Sequence, residues 1–279
     1  MTRVDTGHLG ALEQTLLVPL VARALQSGCD DPIVDDPAAA GVLRRLDVDT
    51  SAIRCYSDAM VGCAIRAAVF DEYLRDVLDA HPDAAVVLAG EGLDTTFERN
   101  DNGRASWFEL DYPDVIAIRR TCFAPHPRRH LIGGSVLDGG WIDDVVRLGG
   151  SHRVVQLAGV TMYWREDQVR RFFGLVHDRL APATVILDTV SPLVRRLARH
   201  WEPTARLTPA EYRFGIWNPQ RLDRYAPNWR VRESRRLFDQ HPHRWSRRVR
   251  FWKHAFPPLR ASYPLVCGEL MDDESFGGG

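Results

Sequence analysis

The sequence lacks the features of a membrane protein, a secreted protein or a nucleic-acid-binding protein. None of its apolar stretches is long enough to span a bilayer, and the first ten residues carry Arg3, Asp5 and His8 where a secretory signal would have an apolar run. The formal net charge is −1, so no whole-molecule field attracts a polyanion. These absences predict a cytoplasmic protein that acts on a small molecule, with neither nucleic acid nor membrane as partner.

Cysteine is scarce, and its spacing argues against the common structural uses of thiols. The five cysteines are odd in number and lack the short paired spacings of a zinc site, so we expect reduced thiols, most of them in the core. They are Cys29, Cys55, Cys63, Cys122 and Cys267. A chain of 279 residues can bury one large core, which predicts one elaborated domain or a domain with a cap.

The pattern of the chain changes at Asp83. Before it, Leu12–Leu25, Ala38–Leu46 and Ser57–Ala80 have the spacing of helices, which predicts a helical cap over residues 1–82. After it, short β-rich runs alternate with helical ones, the pattern of a parallel sheet built from βαβ units over residues 83–200. The predicted strands are Ala84–Ala89, Ser106–Leu110, Arg129–Ile132, Arg153–Leu157 and Thr184–Leu187. The predicted helices between them are Pro113–Arg120, Trp141–Leu148 and Glu166–Leu180.

Residues 201–260 are rich in arginine and aromatic residues and are predicted to be an insertion that carries the acceptor site. Residues 261–279 then hold a last strand, Tyr263–Val266, and a tail. The aromatic side chains either line a pocket for a flat ligand or build the core of the insertion itself. They are Trp201, Phe214, Trp217, Trp229, Phe238, Trp245, Phe251, Trp252 and Phe256. The basic run from Arg244 to Lys253 is interpreted as a solvated helix face, because no nucleic-acid-binding motif accompanies it.

Two glycines follow the first predicted strand. Gly90 and Gly92 lie in a turn before a predicted helix start at Asp94 or Thr95, both good N-cap residues. Glycine lets a ligand approach the backbone because no Cβ stands in the way. The pair alone is equally compatible with an ordinary tight turn.

An acidic residue ends the next predicted strand. Asp111 lies about 20 residues after the glycines, where nucleotide-binding α/β folds place a carboxylate for the ribose hydroxyls. The third glycine of a dinucleotide fingerprint would fall at Thr95, which argues against NAD. After the third strand, Asp138 could accept from an adenine amino group and Trp141 could pack near the ring; alternatively, Asp138 only caps a helix.

In its combined motifs the chain resembles the leucine carboxyl methyltransferase family, and within it the branch typified by the tetracenomycin polyketide carboxyl O-methyltransferase. The resemblance covers Leu12 to Pro192. The segments that carry it are Thr15–Leu17 through Asp36–Ala39, the helix with Arg66 and Asp71, Gly90–Phe97, Trp107–Pro113 and Ala158–Tyr163. It implies a Rossmann-like class I methyltransferase sheet and S-adenosylmethionine as cofactor.

The resemblance also implies a role for individual residues. Arg66 would pair with the cofactor carboxylate, Gly90 with Gly92 would line its methionine end, and Asp111 would bind the ribose. Asp138 with Gly139 would contact the adenine. The family commonly has a glutamate where this chain has Ala158, so one carboxylate beside the cofactor is missing here.

A sulfonium methyl is already electrophilic, so such an enzyme has to align the acceptor and exclude water, and it requires no metal. Tyr163 and His241 are the predicted catalytic residues, with His243 and Tyr225 as further candidates. The expected function is O-methylation of a small ring-containing natural product, at a carboxylate or a hydroxyl. The alternatives are C- or N-methylation of an aromatic heterocycle such as an indole, carboxyl methylation of a protein C-terminus, and a non-catalytic S-adenosylmethionine-binding module.

Overall fold

The fold is described from a computed structural model that covers residues 4–5, 16–48, 50, 57–150, 152–201 and 211–273. Its centre is a seven-stranded sheet with the order β5-β4-β3-β6-β7-β9-β8. The strands are β3 (Ala85–Ala89), β4 (Ser106–Asp111), β5 (Arg129–Gly133), β6 (Arg153–Leu157), β7 (Ala183–Asp188), β8 (Trp229–Arg236) and β9 (Pro264–Leu270). β3 to β7 are parallel, and β9 runs antiparallel to both of its neighbours. A separate two-stranded parallel sheet pairs β1 (Val4–Asp5) with β2 (Leu46–Asp47).

The five strands predicted for the α/β core are present within one residue of their predicted bounds. All five residues of β3 are buried, because a central parallel strand is covered by helices on both faces. Ala85, Val87 and Ala89 belong to the apolar core on one face of the sheet, and Val86 and Leu88 belong to the core on the other. This alternation follows from the two-residue period of a strand.

Helices cover both faces of the sheet. The helices are α1 (Leu17–Gln26), α2 (Pro37–Arg45), α3 (Ser57–Ala80), α4 (Thr96–Asn100), α5 (Pro113–Cys122), α6 (Trp141–Leu148), α7 (Glu166–Leu180), α8 (Pro192–Trp201), α9 (Arg247–Ala255) and α10 (Pro257–Arg260). α3, α6 and α7 have the predicted bounds, whereas residues 12–15 of the first predicted helix lie outside the described residues. α3 packs on one face and α7 on the other, each through an apolar stripe at helical spacing. No helix in the described ranges is both long and apolar enough to cross a membrane.

The region predicted as an insertion contains a strand of the core sheet. β8 pairs with β9 at the sheet edge, and its side chains alternate between exposed and partly covered. Arginine recurs along β8, so the strand has no apolar run for sequence inspection to detect. An edge strand needs no such run, because only one of its sides is paired and charged side chains protect the other. The sequence therefore predicted one final strand, Tyr263–Val266, where the structure has two.

A buried network of ion pairs joins the N-terminal helices to the turn after β3. Arg99 on α4 donates from Nε and Nη2 to the two carboxylate oxygens of Asp71 on α3, at 2.7 and 3.0 Å. Its Nη1 donates to Asp36, the N-cap of α2, and to Asp94 in the turn, at 2.8 and 3.0 Å. Arg23 on α1 contacts the same Asp36 and Asp94, at 2.9 and 2.8 Å. Burial opposes ionisation of Asp94, but these two guanidinium groups hold the pKa of its carboxyl well below the ordinary value.

Replacing Arg99 with lysine is expected to lower the free energy of unfolding by about 2 kcal/mol, because an ammonium group cannot reproduce the paired contact with Asp71. Arg75→Lys is the matched control, since Arg75 approaches the same Asp71 at 3.7 Å with a half-exposed side chain and should change stability by less than about 0.5 kcal/mol. Urea unfolding of both variants measures the difference. Equal losses in the two variants would contradict a special role for the buried network.

Candidate active site

A cavity of about 1250 Å³ lies at the carboxyl ends of the parallel strands. α1, α3 and α9 contribute its other walls. Residues at or just after the end of each parallel strand line the cavity. These residues are Gly90, Glu91 and Gly92 after β3, Asp111 at the end of β4, Gly134–Leu137 after β5, Ala158–Val160 after β6 and Asp188 at the end of β7. In open α/β sheets, this edge is the usual position of a ligand site.

Both glycines after β3 are required by the backbone. Gly90 and Gly92 have φ angles of 70° and 58°, in the left-handed region that favours glycine. A Cβ on Gly90 would lie 2.7 Å from Cγ2 of Val160, and a Cβ on Gly92 would lie 3.0 Å from Cβ of Leu16. The turn is therefore held close to two other segments that line the cavity, and a side chain at Gly90 would force them apart.

The buried Arg119 side chain fixes the backbone of this turn by hydrogen bonds. From α5 it donates to the carbonyl oxygens of Gly92 and Asp94, at 2.8 and 2.9 Å, and pairs with Glu109 on β4. Burial disfavours the charged form, but Glu109 and Glu91 raise the pKa of Arg119. Burial, with Asp94 as the second cause, raises the pKa of Glu91 well above its ordinary value.

Asp111 is oriented by two backbone groups. Its Oδ2 accepts from the N–H of Gly92, and its Oδ1 accepts from the N–H of Tyr112, each at 2.7 Å. Carboxylate oxygens can accept more than one hydrogen bond each, so the same group can also receive ligand hydroxyls. The carboxylate is thereby fixed beside the glycine turn, as the sequence spacing predicted.

The two residues expected to contact the adenine, Asp138 and Gly139, do not line the cavity, whereas the residues just before them do. Ser135, Val136 and Leu137 line the cavity after β5, whereas Asp138 is exposed and does not. Gly139 also lies off the cavity, and a Cβ there would be 3.1 Å from Leu175. Trp141, predicted to pack near the ring, is instead buried in the core, and its indole N–H donates to the carbonyl of Val136. The chain turns away from the cavity immediately after Leu137, which spacing along the sequence could not indicate.

Arg66 reaches the cavity from α3 and meets a carboxylate that the sequence analysis missed. Its Nη1 donates to Oδ2 of Asp188 at 3.1 Å. Burial disfavours the charged guanidinium, yet the adjacent Asp188 carboxylate raises its pKa above the ordinary value. Asp188 could have been found by the rule that located Asp111, because it is the acidic last residue of a buried parallel strand.

Aromatic side chains also line the cavity. They are Tyr112, Tyr163, Trp164, Tyr212, Phe238, Trp245, Trp252, Phe256 and Tyr263. Ser246, the N-cap of α9, donates its N–H and hydroxyl to Asp58 on α3 at 3.0 and 2.8 Å, which joins α9 to the cavity wall. The remaining aromatic residues of this region with described side chains have other roles: Phe214 and Trp229 are buried in the main core, while Trp217 and Phe251 are exposed.

Of the four candidate catalytic side chains, only Tyr163 lines the cavity. Its ring packs edge-on against Tyr212, with centroids 5.4 Å apart. His241 and His243 lie near each other in the segment before α9, and no histidine in the described part of the chain lines the cavity. Burial, followed by His243, lowers the pKa of His241. Tyr225 packs against Phe214 instead. The structure thus brings Arg66, Gly90, Gly92, Asp111 and Tyr163 together and leaves His241, His243 and Tyr225 outside.

Comparison with known proteins identifies the family to which the chain belongs. The leucine carboxyl methyltransferase family model matches residues 17–130. The tetracenomycin polyketide synthesis O-methyltransferase TcmP of Streptomyces glaucescens is 32% identical over 267 residues, which cover 94% of this chain and 98% of that protein. The chain belongs to the leucine carboxyl methyltransferase family. It is an S-adenosylmethionine-dependent methyltransferase, as the sequence resemblance predicted.

A more distant sequence relative is named for the same cofactor, and two solved structures share the fold. The S-adenosyl-L-methionine-dependent methyltransferase dpfgK of Gibberella zeae is 25% identical over 84% of each chain. A Thermobifida fusca crystal structure of a candidate methyltransferase has a TM-score of 0.58 at 19% identity, covering 91% of this chain and 94% of that one. Magnesium protoporphyrin IX methyltransferase from Synechocystis with bound S-adenosylmethionine has a TM-score of 0.50 at 11% identity, covering 90% and 96%. These two structures confirm the Rossmann-like class I methyltransferase fold of the chain.

Proposed function

We propose that this methyltransferase transfers a methyl group to an oxygen, of a carboxylate or a hydroxyl, on a small ring-containing acceptor of the natural-product type. The observation that carries the proposal is that one cavity combines the glycine turn and Asp111 with a wall of aromatic side chains. Aromatic walls favour flat, ring-containing ligands. The similarity to a protein named for O-methylation in polyketide synthesis supports oxygen as the accepting atom.

The cavity residues also fit the cofactor. A Cβ on Gly90 would clash with Val160, so the turn after β3 can pack against the segment after β6 only because that residue is glycine. We place the methionine end of S-adenosylmethionine at Gly90 and Gly92 with its carboxylate at Arg66, because a guanidinium matches a carboxylate in two parallel hydrogen bonds. Asp111 would receive the ribose hydroxyls, and the backbone of Ser135–Leu137 would face the adenine.

When bound, S-adenosylmethionine supplies an electrophilic sulfonium methyl. The chain then has to orient the acceptor and keep water out of the cavity. Rigid aromatic side chains in the cavity wall can do both. Arg213 and Arg248 line the cavity and can hold a carboxylate, which is ionised at neutral pH and needs no base. For a hydroxyl acceptor, Tyr163 would hydrogen-bond the accepting oxygen through its own hydroxyl.

The proposal predicts turnover with aromatic acids or phenols when the protein is incubated with S-adenosylmethionine carrying a ¹³C-labelled methyl group. Formation of S-adenosylhomocysteine reports turnover, and the carbon chemical shift of the product distinguishes an oxygen-bound methyl group from one on nitrogen or carbon. Indoles and a peptide with a C-terminal leucine complete the panel. Methyl transfer to the indoles or the peptide alone would contradict the proposal, as would cofactor binding with no turnover across all four acceptor classes.

Two tryptophans provide a matched pair for locating the acceptor. Trp252 and Trp217 are similarly exposed, at 49% and 45%, but only Trp252 lines the cavity. Trp252→Ala should raise the KM for the acceptor roughly tenfold without changing cofactor affinity, because a contact wall is lost. Trp217→Ala should leave both unchanged. Equal effects of the two substitutions would place the acceptor elsewhere.

A further inference from the structure

Asp188 occupies a position at the cavity edge to which the proposed function assigns no role. It is the last residue of β7, which is buried along its whole length, and only 4% of its side chain is exposed. The pairing of β6 with β7 runs to Leu157 and Leu187, so Asp188 lies beside Ala158 at the point where both strands end. A carboxylate buried to this degree requires partners.

Its two carboxylate oxygens bind two different segments of the cavity wall. Oδ1 accepts from the N–H of Gly159, after β6, at 2.6 Å. Oδ2 accepts from Nη1 of Arg66, on α3, at 3.1 Å. One carboxylate therefore joins the helix that brings Arg66 to the cavity with the ends of two central strands.

The backbone of Gly159 lies against the same guanidinium. Its φ angle is 75°, and a Cβ there would lie 2.7 Å from Nη1 of Arg66 and 3.3 Å from both Cζ and Nη2. The Arg66 side chain thus occupies the space that any other residue at 159 would fill. Arg66 therefore contacts both the Asp188 carboxylate and the backbone of Gly159.

The contact with Asp188 leaves the guanidinium able to bind a second anion. A guanidinium has five N–H donors in a planar fork, and the contact with Asp188 is made by Nη1. A long arginine side chain normally loses rotamer freedom when it binds a ligand, and a fixed partner removes that loss in advance. The arrangement suits an arginine that must present one edge to a ligand carboxylate in a single orientation.

We propose that Asp188 is a positioning residue that, with Gly159, orients Arg66 toward the amino-acid end of S-adenosylmethionine. This inference rests on the proposed placement of the cofactor carboxylate at Arg66 and is independent of the acceptor. Asp188 acts through Arg66, so its loss should affect only ligands that carry the amino-acid group.

Two ligands separate this role from a purely structural one. S-adenosylhomocysteine carries the amino-acid group, whereas 5′-methylthioadenosine shares its adenosine and thioether but lacks that group. In Asp188→Asn, titration calorimetry should show a loss of affinity for S-adenosylhomocysteine of roughly twentyfold, because the carboxylate that orients the cation is gone. Affinity for 5′-methylthioadenosine should stay within about twofold. Asp143→Asn is the matched control, since Asp143 pairs with Arg179 outside the cavity and neither ligand should be affected.

Three results would overturn the inference: an unchanged affinity for S-adenosylhomocysteine, an equal loss for both ligands, and an undiminished effect of Asp188→Asn when Arg66 is already methionine. If Asp188→Asn does not fold, Gly159→Ala displaces the same guanidinium, because the added Cβ would lie 2.7 Å from Nη1 of Arg66, and it should produce the same selective loss. All of these measurements are made without an acceptor. Failure of the methyl-transfer panel would therefore leave this inference intact. In the same way, failure of these binding tests would leave the proposed acceptor class intact.

Discussion

Asp111→Ala is expected to lower the affinity for S-adenosylmethionine roughly a thousandfold, because the two charge-assisted hydrogen bonds proposed between Asp111 and the ribose would contribute about 4 kcal/mol together. The substitution also removes the acceptor for the N–H groups of Gly92 and Tyr112, so the glycine turn loses the contact that fixes it to β4. Titration calorimetry with S-adenosylhomocysteine measures the loss directly.

Asp114 supplies the control for this experiment. It is an exposed aspartate in the first turn of α5, three residues beyond Asp111, and it does not line the cavity. Asp114→Ala should bind the cofactor as the unmodified protein does. Asn in place of Asp111 should give an intermediate loss, because the amide keeps one acceptor oxygen but no charge. An Asp111→Ala protein that is folded and has unchanged affinity would remove Asp111 from the cofactor site.

Gly90→Ala is expected to weaken S-adenosylmethionine binding by at least about a hundredfold, from two causes that act together. A residue with a Cβ in the left-handed region costs about 1–2 kcal/mol. In addition, the Cβ would meet Val160 at 2.7 Å, and relief of this contact moves the turn or the segment after β6, both of which line the cavity. The dissociation constant of S-adenosylhomocysteine reports the change in the cavity, and the thermal unfolding midpoint of the variant reports the backbone strain.

Gly103 separates the two causes. Its φ angle is 78°, and a Cβ there would meet nothing within 4 Å, so Gly103→Ala carries the backbone strain without the clash. This variant should lose stability but keep its cofactor affinity. Adding Val160→Ala to Gly90→Ala should restore part of the cofactor affinity, because it removes Cγ2 of Val160, the atom that the new Cβ would contact. Identical behaviour of the Gly90 and Gly103 variants would show that backbone strain, rather than close approach, governs the turn.

Ala158 and Asp188 lie side by side at the point where β6 and β7 end. Ala158 contributes only a methyl group to the cavity, and the acidic side chain at this edge is Asp188 on the neighbouring strand. The sheet thus has a negative group beside Arg66, although Ala158, where the resemblance led us to expect a glutamate, carries none. This arrangement makes Asp188 the first position to test for cofactor recognition.

Local pattern was sufficient to locate the sheet and its glycine turn. The apolar run before Gly90 predicted a strand because a central parallel strand is buried on both faces, and the residues at its end are delivered to one sheet edge. The same rule correctly positioned Asp111 beside the turn. The apolar stripes of α3 and α7 predicted the bounds of both helices. They could do so because one face of each helix is buried, and apolar residues therefore recur at helical spacing.

The sequence by itself therefore determined the fold class, the family and the cofactor, and it predicted that the glycine turn and Asp111 meet at one sheet edge. All of these depend on residues that lie close together in the chain or on strand ends. Only the tertiary structure decided which distant side chains meet. It joined Arg66 to Asp188 across 122 positions, directed Leu137 rather than Asp138 to the cavity, left His241 outside it and placed arginine-rich β8 in the core sheet. These contacts depend on how helices and loops pack against the sheet, and residue period and spacing do not encode that packing.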